Sequence, residues 1–110
     1  MVWKRSVELV QELYQEIGKL PQDEIYGLSS QMKRAAISIP SNIAEGQSRK
    51  NLKEFLQFLR IAYGSAAELE TQIIITKNVF PKINLIKSGF ILEEVQKMLN
   101  VLIRKLEPRN

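Results

Sequence analysis

The carboxylates placed to do acid–base chemistry are Glu45, Glu68 and Glu70, any of which can accept a proton or ligate Mg²⁺. Glu68 and Glu70 are two residues apart, so on a helix they point about 160° away from each other and cannot line one pocket. The chain has no histidine, which removes the imidazole base of hydrolytic triads and the Glu-x-x-His pairs of bundle di-metal sites. It has no cysteine either, which excludes disulfides, thiolate metal sites and a cysteine nucleophile. No glycine-rich phosphate loop occurs. The residues predict no enzyme, no cofactor, no metal site and no small-molecule substrate. What remains is contact with anions, because 16 Lys+Arg face 12 Asp+Glu for a formal charge of +4.

The elements that must carry these residues are helices. The 110 residues are 45% hydrophobic, which suits one globular domain spanning 1–110 and is too few for two. Trp3, Val7, Val10, Tyr14 and Ile17 step by four and three, which predicts an amphipathic helix over Val2–Lys19 stopped by Pro21. A second helix is predicted over about Ser30–Glu45, with Ser29 as N-cap, Gly46 as stop, and a kink near Ala36 imposed by Pro40. Asn51 caps a third, which runs to about Asn78 on the seam Leu52, Leu56, Leu59, Ala62, Ala66, Leu69, Ile73 and Thr76. The fourth is predicted over about Lys82–Leu106, with Gly89 as a point of bending or interruption. No segment alternates at period two. Short connections make the expected architecture all-α, an up-down-up-down antiparallel four-helix bundle.

Short side chains crowd Arg34-Ala-Ala-Ile-Ser-Ile-Pro-Ser-Asn-Ile-Ala-Glu-Gly46 and Ala62-Tyr-Gly-Ser-Ala-Ala67. Facing each other, they would let two helix axes approach closely, and a close contact would explain Gly64, which costs about 1 kcal/mol against Ala in a helix. Arg34, Asn42, Glu45, Glu68 and Glu70 are expected to meet across that contact as a structural polar network.

These segments carry a family resemblance. Pro21-x-x-Glu24-x-Tyr26-Gly27-Leu28-x-x-Gln31 leads into Arg34-Ala-Ala-x-Ser-Ile-Pro-Ser-Asn-Ile-Ala-Glu-Gly46. Phe58-Leu59-x-Ile61-Ala62-x-Gly64-Ser65-x-x-Glu68-Leu69-Glu70 follows. Together they resemble the bacterial 23S ribosomal RNA intervening-sequence proteins over nearly the whole chain, departing at Phe80-Pro81-Lys82-Ile83. The resemblance implies a four-helix bundle and a ring-shaped homopentamer, with nucleic-acid binding known for a related retroelement accessory protein. It implies no defined molecular activity.

Antiparallel threading would gather the start of the first helix, the second connection and the end of the fourth at one pole. Lys4, Arg5, Arg49, Lys50, Lys53, Arg104, Lys105 and Arg109 fall there against Glu8, Glu45, Glu54 and Glu107, so the whole +4 excess localises to that end. The first seven are the candidate nucleic-acid-binding residues, with RNA phosphates as the expected partner and little sequence preference. Trp3 and Phe55 alone interleave with them, which gives base stacking little support. Apolar residues outnumber one internal seam per helix, as at Ile73-Ile74-Ile75, so a homo-oligomer is expected. Solvated helix tails remain the plainer account of the charge, and an oligomeric scaffold for a protein partner the alternative function. The longest uncharged stretch is the ten residues Ala35–Ala44, too short to span a membrane, and the cytoplasm is the expected compartment.

Overall fold

The computed structural model describes residues 1–108. Four helices, α1 (Val2–Ile17), α2 (Leu28–Gln47), α3 (Leu52–Val79) and α4 (Ile86–Leu106), are joined by short connections, the first containing a 3₁₀ turn over Gln22–Glu24. Consecutive helices pack side by side and α4 returns against α1. The cross-helix pairs run in opposite senses along each neighbour, Ser38–Ser65 and Met32–Thr76 between α2 and α3, Arg5–Glu94 and Glu12–Lys87 between α1 and α4. The result is the expected all-α, up-down-up-down four-helix bundle.

The seams of α2, α3 and α4 form the core as their spacing predicts, but the buried face of α1 is rotated from the expected stripe: Trp3 and Tyr14 are exposed and Val7 and Val10 half-buried, while Leu9 and Leu13 face inward with Ile17. Leu9, Leu13 and Ile17 from α1, Met32, Ala36, Ile39 and Ile43 from α2, Leu59, Ala62, Ala66 and Leu69 from α3, and Val95 and Leu99 from α4 are all at most 1% exposed. Burying each large aliphatic contributes roughly 1.5–3 kcal/mol.

The ends depart from the sequence reading. The helix α2 starts at Leu28, and its cap comes from the preceding turn, where Glu24 Oε1 accepts the Leu28 N–H at 3.2 Å. Ser29, expected as the cap, is buried inside the helix. The helix also passes Gly46 and ends at Gln47, and it is continuous across Pro40, whose ring is buried on the face of Ala36, Ile39 and Ile43. The start of α4 is Ile86 rather than Lys82, because the Ile83 N–H closes a turn onto the Phe80 carbonyl at 3.0 Å and Asn84 Oδ1 then accepts the Ile86 N–H at 3.1 Å. Gly89 does not interrupt α4. Asn51 caps α3 as its type predicts, its Oδ1 accepting the Glu54 N–H at 2.8 Å.

Twenty-eight residues make α3 about 42 Å long, so it runs nearly the full 47 Å long axis of the molecule. The end of α4 meets α3 at Arg60, where Glu107 accepts from the guanidinium at 2.9 Å. Arg60 lies two turns into α3, so the α2–α3 turn and the first turns of α3 project past the end of α4 by about 12 Å.

Two buried polar atoms, Ser88 Oγ and Gln72 Oε1, have no hydrogen-bond partner among the described residues. A hydroxyl left unpaired in a core costs about 1–3 kcal/mol, and alanine removes it with little loss of volume. Ser88→Ala is therefore expected to raise the thermal midpoint by a few degrees, measured by calorimetry or circular dichroism. A lowered midpoint would mean that Ser88 is satisfied.

Candidate nucleic-acid interface

The seven candidate cations come from four places on the chain. Lys4 and Arg5 sit in the first turn of α1, Arg49 and Lys50 in the α2–α3 turn, Lys53 in the first turn of α3, and Arg104 and Lys105 in the last turn of α4. The start of α1 lies beside the middle of α4, where Arg5 reaches Glu94, and Met1 and Val2 open a groove that Met98, Val101, Leu102 and Lys105 line toward the end of α4. The α2–α3 turn is carried farther out by the length of α3, which makes this end of the bundle stepped rather than flat. Arg109 falls outside the described residues.

The structure divides the seven into two groups. Arg5 is engaged by carboxylates: its Nη1 donates to Glu8 Oε2 at 2.7 Å and its Nε to Glu94 Oε1 at 3.0 Å, with Nη2 also on Glu94. These bonds, Glu94 first and then Glu8, hold its guanidinium above the ordinary arginine value. Arg49 Nη2 donates to Glu45 Oε2 at 2.7 Å, and its guanidinium lies 5.1 Å from the centre of the Phe58 ring. Lys4, Lys50, Lys53, Arg104 and Lys105 are exposed and have no carboxylate within 4.0 Å among the described residues. Elsewhere on the bundle, Lys19, Arg60, Lys87 and Lys97 are each paired with a glutamate, while Lys33, Arg34, Lys77 and Lys82 make no ion pair among the described residues.

Sequence arithmetic misplaced the start of α1. Arg5 pairs with Glu94, twelve residues before the end of α4, and Glu12 pairs with Lys87, so Lys4 and Arg5 lie about 15 Å back along the bundle from Arg104 and farther still from the α2–α3 turn. The end itself gathers Arg49, Lys50, Lys53, Arg104 and Lys105.

The expected polar network does not assemble. Asn42 Nδ2 donates within α2 to the Ser38 carbonyl at 2.8 Å and to Ser38 Oγ at 2.9 Å, and Ser38 Oγ lies 2.7 Å from Ser65 Oγ. Glu45 turns to Arg49, and Glu70 Oε1 accepts from Gln96 on α4 at 3.4 Å. Arg34 and Glu68 line one cleft of about 270 Å³ without forming an ion pair. The physical reason is burial. Ala35, Ala36, Ala62 and Ala66 fill the α2–α3 contact, while Arg34, Glu45, Glu68 and Glu70 all lie on exposed faces. Gly64 is exposed as well, and a methyl group there would meet nothing within 4 Å, so close packing does not explain it.

The close approach occurs instead at Gly46. A Cβ at that position would lie 2.9 Å from both Phe55 Cδ1 and Phe58 Cβ, so α3 packs directly on the α2 backbone there. Gly46 and Phe55 then shape a hollow of about 400 Å³ together with Gln47, Arg49, Lys50, Asn51 and Leu52. Sequence reading took Gly46 for a helix stop and missed this site. The available signal was the pair of phenylalanines soon after it. No group of three or more acidic side chains among the described residues is placed to hold a metal ion, and no described helix is long and apolar enough to cross a membrane.

Comparisons with known proteins place this geometry in a family. No curated protein matches the chain. A solved structure, a protein with unknown function from the S23 ribosomal protein family of Bacteroides thetaiotaomicron VPI-5482, superposes with a TM-score of 0.85 at 20% identity. The match covers 94% of this chain and 99% of that one, and at such identity it shows a shared fold. The model of the 23S rRNA-intervening sequence proteins matches residues 1–101, nearly the whole bundle, and the chain belongs to that family.

Proposed function

We propose that the protein is a non-enzymatic, oligomeric helical bundle that holds RNA by its phosphate backbone at the stepped basic end. The carrying observation is the division of the cations. Five of the seven candidates, Lys4, Lys50, Lys53, Arg104 and Lys105, have no carboxylate partner among the described residues, and all of these but Lys4 belong to this end. Unpaired cations keep their full attraction for an anion, and each phosphate neutralised releases condensed counterions. The family's name, which ties its members to the intervening sequences of 23S rRNA, points to the same class of partner. Exposed Trp3, Ile61, Ile75 and Phe90 favour assembly with further copies, as in the pentameric ring the resemblance implies. Such a ring would repeat the end charge five times and strengthen binding by avidity.

The test is binding of a structured RNA and a DNA of equal length across a salt series, with native mass of the protein recorded alongside. If all five cations meet phosphates, log K falls against log salt with a slope of about −3.5 to −4.5 per protomer. A flat line removes the proposal, and a monomer at working concentration removes the ring. One observation favours the second reading, a scaffold for a protein partner. Met1, Val2, Met98, Val101 and Leu102 line an apolar groove of about 550 Å³ between α1 and α4. Salt-insensitive capture of a single protein would support that reading over the first.

A further inference from the structure

The hollow at the α2–α3 turn has a composition that bare phosphate contact does not require. Its apolar side is Phe55, half-buried with its ring edge over Gly46, together with the exposed Leu52. Its polar side holds two carboxamides. Asn51 spends Oδ1 on the Glu54 N–H, which leaves its Nδ2 donors for other partners, and Gln47 is exposed with no side-chain hydrogen bond among the described residues. Lys50 stands at the rim without a carboxylate partner, whereas Arg49 is held aside by Glu45 and Phe58.

An aromatic ring, amide donors and acceptors, and a cation in one concavity are the groups that engage a base lifted out of its stack. A base paired within a duplex cannot enter such a hollow, because both its faces are stacked and its pairing edge is occupied. We propose that this hollow takes one unpaired nucleotide of an RNA loop or bulge, its base against Phe55 and Leu52, its edge at Gln47 and Asn51, and its phosphate at Lys50. The proposal rests on the RNA reading above and sharpens it: the preferred ligand carries unpaired bases, and the remaining cations hold the flanking backbone.

The experiment compares a hairpin whose loop carries 2-aminopurine with a fully paired RNA of the same phosphate number, using the full-length protein. The hairpin is expected to bind about tenfold more tightly, and the 2-aminopurine fluorescence to change on binding as its stacking partners are exchanged. Phe55→Leu, which keeps the apolar contact with the core but loses the flat ring, is expected to abolish that tenfold preference. Leu52→Ala, a safer change at a 47%-exposed position, is expected to reduce it. Equal binding of hairpin and duplex, both weakened by Lys50→Glu, would overturn the hollow while leaving the RNA reading intact. A hairpin preference untouched by both Phe55→Leu and Leu52→Ala would also overturn it. If Lys50→Glu together with Lys53→Glu changed binding of neither RNA, the RNA reading itself would fall.

Discussion

Gly46→Leu is expected to destabilise the bundle by about 3 kcal/mol, the upper end of the usual cost of overpacking, while Gly64→Ala stabilises it by about 1 kcal/mol. Both glycines lie inside long helices, where propensity alone would have any replacement but proline help. At Gly64 it does, because an added methyl group meets nothing within 4 Å. At Gly46 the first added carbon already lies 2.9 Å from Phe58 Cβ and 3.3 Å from the Phe55 carbonyl oxygen, neither of them the free end of a side chain. Either α2 and α3 separate at that point or Phe55 and Phe58 leave their rotamers, and both responses loosen packing around Leu56 and Leu59. Chemical denaturation of the two variants beside the parent chain measures the difference. Equal midpoints would mean that the helices do not touch at Gly46.

Reversal of Lys50 and Lys53 to glutamate is expected to weaken RNA binding roughly 30-fold near physiological salt and to flatten the salt slope by about 1.5–2. The size follows from losing two phosphate contacts, each worth roughly fivefold at that ionic strength. Both side chains are exposed and make no ion pair among the described residues, so folding stability should hardly change. Lys77→Glu with Lys82→Glu is the matched control. These lysines lie toward the α3–α4 turn at the opposite pole, and the same change of formal charge there should leave affinity within about twofold. If the two double variants weaken binding equally, the attraction is a matter of net charge and the basic end has no special role.

The fold was legible because its seams are regular. Leu56, Leu59, Ala62, Ala66, Leu69, Ile73 and Thr76 keep the three–four spacing of one helix face, and all are buried as that spacing requires. Asn51 carried its own capping group and was read correctly. The start of α2 was not, because its cap belongs to Glu24, four residues upstream in a separate turn. At the start of α4, the Phe80–Ile83 turn and the Asn84 side chain override an apolar pattern that continues back to Lys82. The candidate site was harder. Topology brings the α2–α3 turn and the end of α4 to one end, but α1 is short and begins level with the middle of α4, so Lys4 and Arg5 fall away from it, and Arg5 takes Glu94 as its partner there. The polar network failed because a list of polar residues on two small-residue helices does not say which face is buried. Gly46 was misread because a glycine near a helix end fits a stop signal equally well, and its role depends on side chains nine and twelve positions further along.

The stagger of α3 against α4 sets a gradient of local opening along the molecule. Around Ile73, which lies level with Glu93 and so with the Arg5–Glu94 pair, all four helices surround the axis, and amides there open only with the whole fold. Toward Leu52 the fourth helix has ended, so those turns lose fewer neighbours when they unwind, and their amides should exchange with deuterium soonest among the interior segments of α3. An anion resting on that projecting hairpin would slow its exchange without altering the protected middle. Occupancy would thus be recorded as a local change in protection that needs no rearrangement of the bundle.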